Sequence, residues 1–167
     1  MLHKRFNGFF ADLERELKNL EAVVTELQDT LQNVSGKPNQ IVIRACASIL
    51  HDFYTGIEKT FARIATEIDG GTPRGYDRHL QLLRRMLTPI SDVRPQVIDI
   101  PLGEELDEYL RFRHMFRHQS GFHLKWPLVK DLTDHLPDVH QRFAGQIRAL
   151  MQWLQTIDRN DKLDDSS

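Results

Sequence analysis

In the first part of the chain, apolar residues recur at steps of three and four, and this spacing limits the possible folds most strongly. A period of 3.6 residues places them on one face of an α-helix, whereas a strand would need strict alternation. Between residues 5 and 32 the stripe consists of Phe6, Phe9, Phe10, Leu13, Leu17, Leu20, Val24, Leu27 and Leu31. The sequence therefore predicts a long amphipathic helix that packs either in a coiled coil or against the next helix.

A second long helix is predicted from residue 39 to residue 68. Its apolar residues lie on more than one side, so it is expected to be the most buried element. Two of its polar residues, Tyr54 and Glu58, are four positions apart, and they either face a cleft or satisfy each other at a packed edge. The adjacent His51 and Asp52 have no further histidine at a metal-binding spacing, which argues against a metal-dependent phosphohydrolase.

The remaining segments also favour helices. Residues 69–75 form a turn cluster without the Gly-Lys-Ser/Thr sequence of a phosphate-binding loop, and residues 89–101 are expected to form an irregular connector. Further helices are predicted at about 76–87, at about 102–119, at Pro127 and at about 138–156. Proline suits the first helical turn, so Pro137 is expected to open the last helix. The prediction is one all-α bundle of five or six helices over residues 1–157, with a disordered acidic tail at 158–167.

Composition favours one globular domain in a reducing compartment. The chain has 167 residues, of which 40% are hydrophobic and 28% charged, with a formal net charge of −2. No apolar run approaches the ~20 residues that span a bilayer, and the first residues lack the apolar core of a signal peptide. The single cysteine, Cys46, has no partner for an internal disulfide. We therefore expect a cytoplasmic protein that does not bind a membrane.

The segment from Arg111 to His118 is a positive island in this slightly acidic chain. It contains three arginines and two histidines within eight residues, and residues 111–130 contain five Lys or Arg and no Asp or Glu. On a helix, the apolar arc of this region consists of Leu106, Tyr109, Leu110, Phe112 and Phe116. Arg111 lies opposite the arc and can pair with Asp107. Arg113 falls inside it, where a guanidinium needs an anion, a partner subunit or a cleft.

Three other interpretations of this segment remain open. His114 and His118 have the spacing of a zinc pair, although the glutamate of the zinc-protease motif is missing and the nearby arginines would repel a cation. Phe112 and Phe116 can stack on bases, but their place in the apolar arc favours a core position. The whole segment can also be a structural basic face, which explains the charge but not the position of Arg113.

Residues 113–118, Arg-His-Met-Phe-Arg-His, resemble the Arg-polar-x-x-x-His signature of HEPN-domain ribonucleases. Residues 105–114 and 51–65 are similar to the corresponding stretches of HepT-like toxins, and the resemblance covers about residues 40–150. It implies a metal-independent endoribonuclease that needs no cofactor. It also implies a homodimer whose two motifs line one cleft, and a toxin that a minimal nucleotidyltransferase silences by adding AMP.

The chemistry of RNA cleavage suits this motif, because the 2′-hydroxyl of RNA is itself the nucleophile. A histidine side chain can act as base or acid near neutral pH, and an arginine can stabilise charge on the phosphate, so His118 and Arg113 are the candidates for these two roles. On a straight helix these two side chains point about 140° apart. The site is therefore expected at the end of the helix or in a groove closed by a second subunit. His114 and Arg117 are expected to make auxiliary contacts with phosphates or RNA.

The sequence leaves the control of this activity open. The toxins that receive AMP have a tyrosine two residues after the motif histidine, but this chain has Ser120 there. Three outcomes remain open: modification of Ser120, modification elsewhere such as on Tyr109, and silencing by the bound partner or no such control. The alternative function is a catalytically silent HEPN module that binds a nucleotidyltransferase or a nucleotide.

Overall fold

The computed structural model describes residues 3–118 and 124–164, with side chains for residues 6–118 and 124–160. Its α-helices are α1 (His3–Leu31), α2 (Gln40–Ile64), α3 (Arg78–Met86), α4 (Ile100–His118) and α5 (Trp126–Asp164), and a π-helical turn, Ala65–Asp69, extends α2. The described residues form no strand and contain one isolated bridge, between Ile90 and Arg94. The predicted all-α bundle is confirmed. Within these ranges, no helix combines the length and apolar character needed to cross a membrane.

The central element is α2, which packs against each of the other four helices. It begins after Asn39, whose side-chain oxygen accepts a hydrogen bond from the backbone N–H of Val42 at 2.9 Å. This N-cap satisfies one of the free donors of the first turn. Its buried residues lie on several faces and comprise Ile43, Cys46, Ala47, Ile49, Leu50, Phe53, Tyr54, Ile57, Thr60, Phe61 and Ile64. Burial on several sides agrees with the distribution of apolar residues in the sequence.

The apolar stripe of α1 faces the rest of the bundle, where α1 packs on α2 and α5. Its buried residues are Phe9, Leu13, Leu17, Leu20, Val24 and Leu27. At Gly56 of α2, an added Cβ atom would lie 2.6 Å from Cδ2 of Leu20, so the two helices approach closely there. Of the two arrangements left open by the sequence, packing within the same chain is the one observed.

Helix α5 is continuous and has Pro137 in its interior, so the prediction that this proline opens a separate helix is wrong. Pro137 is exposed, whereas Leu136 and Val139 beside it are fully buried. A proline inside a helix removes one backbone hydrogen bond, but the apolar stripe on both sides packs in register and stabilises one helix. The helix also continues past residue 157, where a disordered tail was expected, and Asp158 is buried.

The connector between α3 and α4 is held by a buried ion pair. Nε and Nη2 of Arg94 donate to the two carboxylate oxygens of Asp69 at 2.6 and 2.8 Å. Both side chains are excluded from solvent. Nη1 and Nη2 also donate to the backbone carbonyl oxygens of Thr88, Pro95 and Arg85. Because Asp69 ends the turn that follows α2, this bidentate contact joins the end of α2 to the segment that leads into α4.

Candidate active site

Helix α4 places Arg113 in the interior of the bundle, where the residue is 2% exposed. Its Nη2 donates a hydrogen bond to Oε2 of Glu58 at 2.6 Å, and Nη1 lies 3.4 Å from Oγ1 of Thr55. The guanidinium carbon lies 4.8 Å from the centroid of the Tyr54 ring. The sequence left an anion, a partner subunit or a cleft open for Arg113, and the structure shows an anion, which comes from α2.

Tyr54 and Glu58 therefore face the same cation on α4. Burial raises the pKa of the Tyr54 hydroxyl, and the charge of Glu58 raises it further, so the ring stays neutral under the guanidinium. A cation over the face of a tyrosine is attracted by the ring quadrupole, most strongly where water is excluded. The two side chains meet at a shared partner, Arg113, which neither of the two arrangements considered from the sequence included.

His79 of α3 completes this cluster. Its Nδ1 lies 2.8 Å from Oε2 of Glu58, the oxygen that also accepts from Arg113. The same Nδ1 lies 3.4 Å from Nη2 of Arg113. The His79 side chain is 33% exposed and that of Glu58 is 20% exposed, so the cluster reaches the surface on this side. We call Glu58, His79 and Arg113 the carboxylate cluster.

A second contact joins the motif to α2. Nε of the exposed Arg117 donates to Nε2 of His51 at 2.9 Å. Nδ1 of His51 lies 3.3 Å from a carboxylate oxygen of Asp52, and its ring centroid lies 5.8 Å from that of Phe116. His51, which with Asp52 was considered as a metal site, therefore lies beside the motif.

The two motif histidines lie on the exposed side of the last turns of α4. His118 is the last residue of the helix, and the ring centroids of His114 and His118 are 4.5 Å apart. Among the described residues, the structure shows no contact between His118 and Arg113. The described part of the chain also contains no group of three or more His, Cys, Asp or Glu side chains that could hold a metal ion.

The other residues of the segment lie where the helical pattern predicts them. Arg111 is exposed, and its Nη2 lies 2.7 Å from a carboxylate oxygen of Asp107. Phe112 is buried and Phe116 is half-buried, with their rings stacked at a centroid distance of 6.1 Å. These two aromatic rings belong to the core and its edge.

Of the two residues considered for modification, Tyr109 lies within the described structure and Ser120 does not. Tyr109 is buried, and its hydroxyl donates to the carbonyl oxygen of Leu132 at 2.7 Å. Burial raises the pKa of this hydroxyl, so it is neither accessible nor readily ionised. Ser120 lies outside the described residues.

Comparison with known protein families identifies the chain. A family model described as HepT-like protein matches residues 45–154. The chain belongs to the HepT-like family. Comparison with curated proteins gives no match, and comparison with solved structures gives none. The match of this HepT-like protein runs from α2 to α5 and includes the carboxylate cluster and His118.

Two contacts of the motif were not predicted. The sequence of this HepT-like chain marks Glu58 as a polar residue of a buried helix, but it does not indicate which residues Glu58 contacts. His79 carries no spacing signal, because it joins Glu58 from another helix, 21 residues later in the chain. His51 joins Arg117 across 66 residues. The sequence signal for the first contact was that charges in buried helices need partners, whereas the second contact, made by an exposed arginine, had no such signal.

Proposed function

We propose that this HepT-like protein is a metal-independent endoribonuclease. The observation that carries the proposal is the guanidinium of Arg113, held between Glu58 and Tyr54 on the helix that ends at His118. A cation that is already oriented can stabilise charge as it develops on a phosphate, without reorganisation during the reaction. A histidine at the exposed end of the same helix supplies a group that transfers protons near neutral pH.

The reaction begins with the 2′-hydroxyl of RNA. Its oxygen attacks the adjacent phosphorus and its proton passes to a base, so that the O2′–P bond forms. The P–O5′ bond then breaks, and the leaving oxygen takes a proton from an acid. The products are a 2′,3′-cyclic phosphate and a free 5′-hydroxyl. Arg113 stabilises the additional negative charge on the phosphorane, and His118 makes one of the two proton transfers.

Arg113 retains hydrogen-bonding capacity for a phosphate. Glu58 engages Nη2, the Nη1 contact with Thr55 is long at 3.4 Å, and Nε has no hydrogen bond among the described residues. A guanidinium has five N–H donors, so a phosphate can bind while the carboxylate remains in place. The cluster reaches the surface at the partly exposed side chains of Glu58 and His79, and we propose that a phosphate approaches from this side.

The first test is cleavage of RNA by the purified protein and by His118→Ala. Wild type should yield products with 2′,3′-cyclic phosphate ends, and the variant should lose activity by ~10²–10⁴-fold, the usual contribution of general acid–base catalysis. Arg111→Ala is the matched control, because Arg111 is an exposed arginine of the same helix that pairs with Asp107. Equal activity of wild type and His118→Ala would contradict the proposed role of the motif.

Chelation provides an independent test of the mechanism. EDTA should leave the cleavage rate unchanged, because the nucleophile is part of the RNA and the charged group is an arginine. Activity that is lost in EDTA and restored by a divalent cation would overturn the metal-independent mechanism.

We further propose that the protein acts as a toxin, as a homodimer, with a minimal nucleotidyltransferase as its antitoxin. A serine at position 120 carries its hydroxyl on a shorter side chain than tyrosine, and the hydroxyl is less acidic. We therefore expect the bound partner to silence the protein without adding AMP at Ser120. Intact mass after coexpression with the transferase and ATP tests this expectation. An AMP adduct that disappears in Ser120→Ala would instead identify Ser120 as the acceptor.

One observation favours a second function, that of a catalytically silent module that binds a nucleotidyltransferase or a nucleotide. The side chain of Arg113 is 3% exposed and already paired with Glu58, as expected for an arginine that stabilises the fold. A silent module would bind the transferase without cleaving RNA. Arg113→Ala would then change the stability of the fold, and there would be no RNA cleavage for it to change. The cleavage assay separates the two functions directly.

A further inference from the structure

We propose that His79 is the general base of the reaction, with Glu58 holding its ring behind the phosphate site of Arg113. The proposal rests on the ribonuclease function proposed above and assigns the proton transfer that His118 does not make. Cleavage needs both a base and an acid, and the function proposed above assigns His118 to only one of the two proton transfers.

The hydrogen bonds of the carboxylate cluster assign the proton on His79. A carboxylate only accepts hydrogen bonds, so Nδ1 of His79, 2.8 Å from Oε2 of Glu58, carries a hydrogen. Nη2 of Arg113 also only donates, so its distance of 3.4 Å from Nδ1 of His79 is not a hydrogen bond between the two. Both nitrogen atoms donate to Oε2 of Glu58. The neutral imidazole of His79 therefore has its lone pair on Nε2.

That lone pair is available to a substrate. Nε2 of His79 has no hydrogen-bond partner among the described residues, and the side chain is 33% exposed. The charged groups in contact with His79 are Glu58 of α2 and Arg113 of α4. A phosphate bound by Arg113 would lie beside His79, with the 2′-hydroxyl of its nucleotide nearby.

The charge of Glu58 suits a base. When Nε2 takes a proton, the imidazole becomes a cation, and the carboxylate already bonded to Nδ1 stabilises it. The same hydrogen bond fixes the ring and its tautomer, as a carboxylate does for a catalytic histidine in general. The position of Glu58 between a histidine and an arginine thus supports both a proton acceptor and a phosphate-binding cation.

The other histidines near the motif are less suitable as bases. Nε2 of His51 already accepts a hydrogen bond from Arg117, and its carboxylate partner Asp52 is 61% exposed at a distance of 3.3 Å. In the described structure, His114 and His118 contact each other and no carboxylate. Among the described histidines of α2, α3 and α4, His79 alone combines a hydrogen bond to a partly buried carboxylate, that of Glu58, with a ring nitrogen, Nε2, that has no hydrogen-bond partner.

In the complete reaction, Nε2 of His79 takes the proton of the 2′-hydroxyl while O2′ bonds to phosphorus. The P–O5′ bond breaks, and His118 gives its proton to O5′. The base ends protonated and the acid ends neutral, so one proton exchange with water restores the enzyme. No other reactant is needed.

A substrate with sulfur in place of the 5′-bridging oxygen separates the two proton transfers, because a thiolate leaves without a proton. His118→Ala should cleave the oxygen substrate ~10²–10⁴-fold more slowly than wild type and regain most of that loss on the sulfur substrate. His79→Gln, whose amide can still donate to Glu58, should lose ~10²–10⁴-fold on both substrates. The control is His135→Gln, an exposed histidine of α5 bonded to its own helix, which should match wild type.

The pH profile on the sulfur substrate distinguishes a base from a positioning residue. For wild type, kcat/KM should rise with pH and reach a plateau as the base loses its proton. For His79→Gln it should continue to rise, because hydroxide or water then removes the proton. A variant with lower activity but the same plateau would overturn the proposal and make His79 a positioning residue.

Other results would also overturn it. If His79→Gln has wild-type activity on both substrates, His79 has no role in catalysis. If the variant is slow on the oxygen substrate and recovers on the sulfur substrate, His79 is the acid. Thermal unfolding of His79→Gln close to wild type establishes that a loss of activity is not a loss of fold. If wild type cleaves neither substrate, the ribonuclease function itself fails, which is a separate outcome from inactivity of the His79 variant alone.

Discussion

Arg113 illustrates how one buried side chain can serve both the fold and a reaction. Its charge is balanced by Glu58, its planar face lies on Tyr54, and Thr55 lies near Nη1. Each contact uses a different feature of the guanidinium: the fork of donors, the delocalised charge and the flat shape. Lysine shares the charge but has neither the fork nor the flat face.

We therefore expect Arg113→Lys to reduce kcat/KM for RNA cleavage by at least ~10²-fold, as loss of an oriented group that stabilises the transition state does elsewhere. Arg111→Lys is the matched control and should change kcat/KM little, because Arg111 is 73% exposed on its side chain. Retention of full activity by Arg113→Lys would mean that a point charge is sufficient and that the fork has no role.

At the scale of the elements, the segment that leads from α3 into α4 has to be placed accurately. His79 on α3 and Arg113 on α4 must both reach Glu58 on α2, and the buried pair of Asp69 and Arg94 joins the turn that follows α2 to the connector between α3 and α4. Arg94 also caps carbonyl oxygens of the connector, so a segment without regular structure has a defined position.

Arg94→Met should lower the free energy of unfolding by about 3–5 kcal/mol, because it leaves the buried carboxylate of Asp69 without its partner. Urea unfolding measures the change. Lys130→Met, which breaks an exposed pair with Asp134, is the control and should change it by less than about 1 kcal/mol. Removal of both partners, with Asp69→Leu, should cost less than the sum of the single changes. An unaffected Arg94→Met protein would show that the ion pair does not stabilise the fold.

Two histidines of α5 should make stability depend on pH in opposite directions. Burial lowers the pKa of His140 below 6.5, although a hydrogen bond to the backbone of Leu17 opposes the shift. As the pH falls, His140 is therefore protonated in the unfolded chain before it is protonated in the folded chain. The contribution of His140 to the free energy of unfolding is present above pH 6.5 and is lost as the pH falls below 6.5. A hydrogen bond to the backbone of Asp131 raises the pKa of His135, whose contribution is full at low pH and lost as the pH rises through the raised pKa.

We expect His140→Gln to reduce the loss of unfolding free energy as the pH falls from about 6.5 to 5, and His135→Gln to reduce the loss of unfolding free energy as the pH rises above about 6.5. Urea unfolding at a series of pH values gives both slopes, and comparing slopes removes any constant effect of the substitutions on stability. If both variants follow the pH dependence of wild type, neither histidine is perturbed in the folded chain.

At the scale of the whole molecule, the described structure of one chain does not bring Arg113 and His118 into contact. In the homodimer proposed above, we expect the second copy to supply the missing histidine, with each His118 beside the other chain's carboxylate cluster. Light scattering should therefore give the mass of a dimer at micromolar concentration. A monomer that cleaves RNA at that concentration would contradict a site shared between subunits.

Mixing two inactive variants tests the shared site more directly. A dimer of one His79→Gln chain and one His118→Ala chain has one site with both intact histidines if the two come from different chains. Random exchange should then restore about a quarter of wild-type activity. If both histidines act within one chain, the mixture stays inactive. Native mass spectrometry of the mixture gives the fraction of mixed dimers and so measures how completely the subunits exchange.

The sequence by itself determined the helical class and the position of the motif. The period of apolar residues located α1, α2 and α4, because a helix must turn one face to the core whatever its neighbours are. The same rule placed Arg113 among apolar residues, where it needed an anion, a partner subunit or a cleft, and it placed Arg111 with Asp107 on the opposite face. These are local properties, which depend on residues within one or two helical turns.

Tertiary structure decided which groups meet. Glu58 reaches Arg113 across 55 residues and His79 across 21, and no local pattern encodes such distances because they depend on how three helices pack. Pro137 remained inside a helix for the same reason: a local preference to start a helix was weaker than a continuous buried stripe on both sides. The sequence thus determined that a charge would be buried at Arg113, and the packing of α2, α3 and α4 decided that its carboxylate is shared with a histidine.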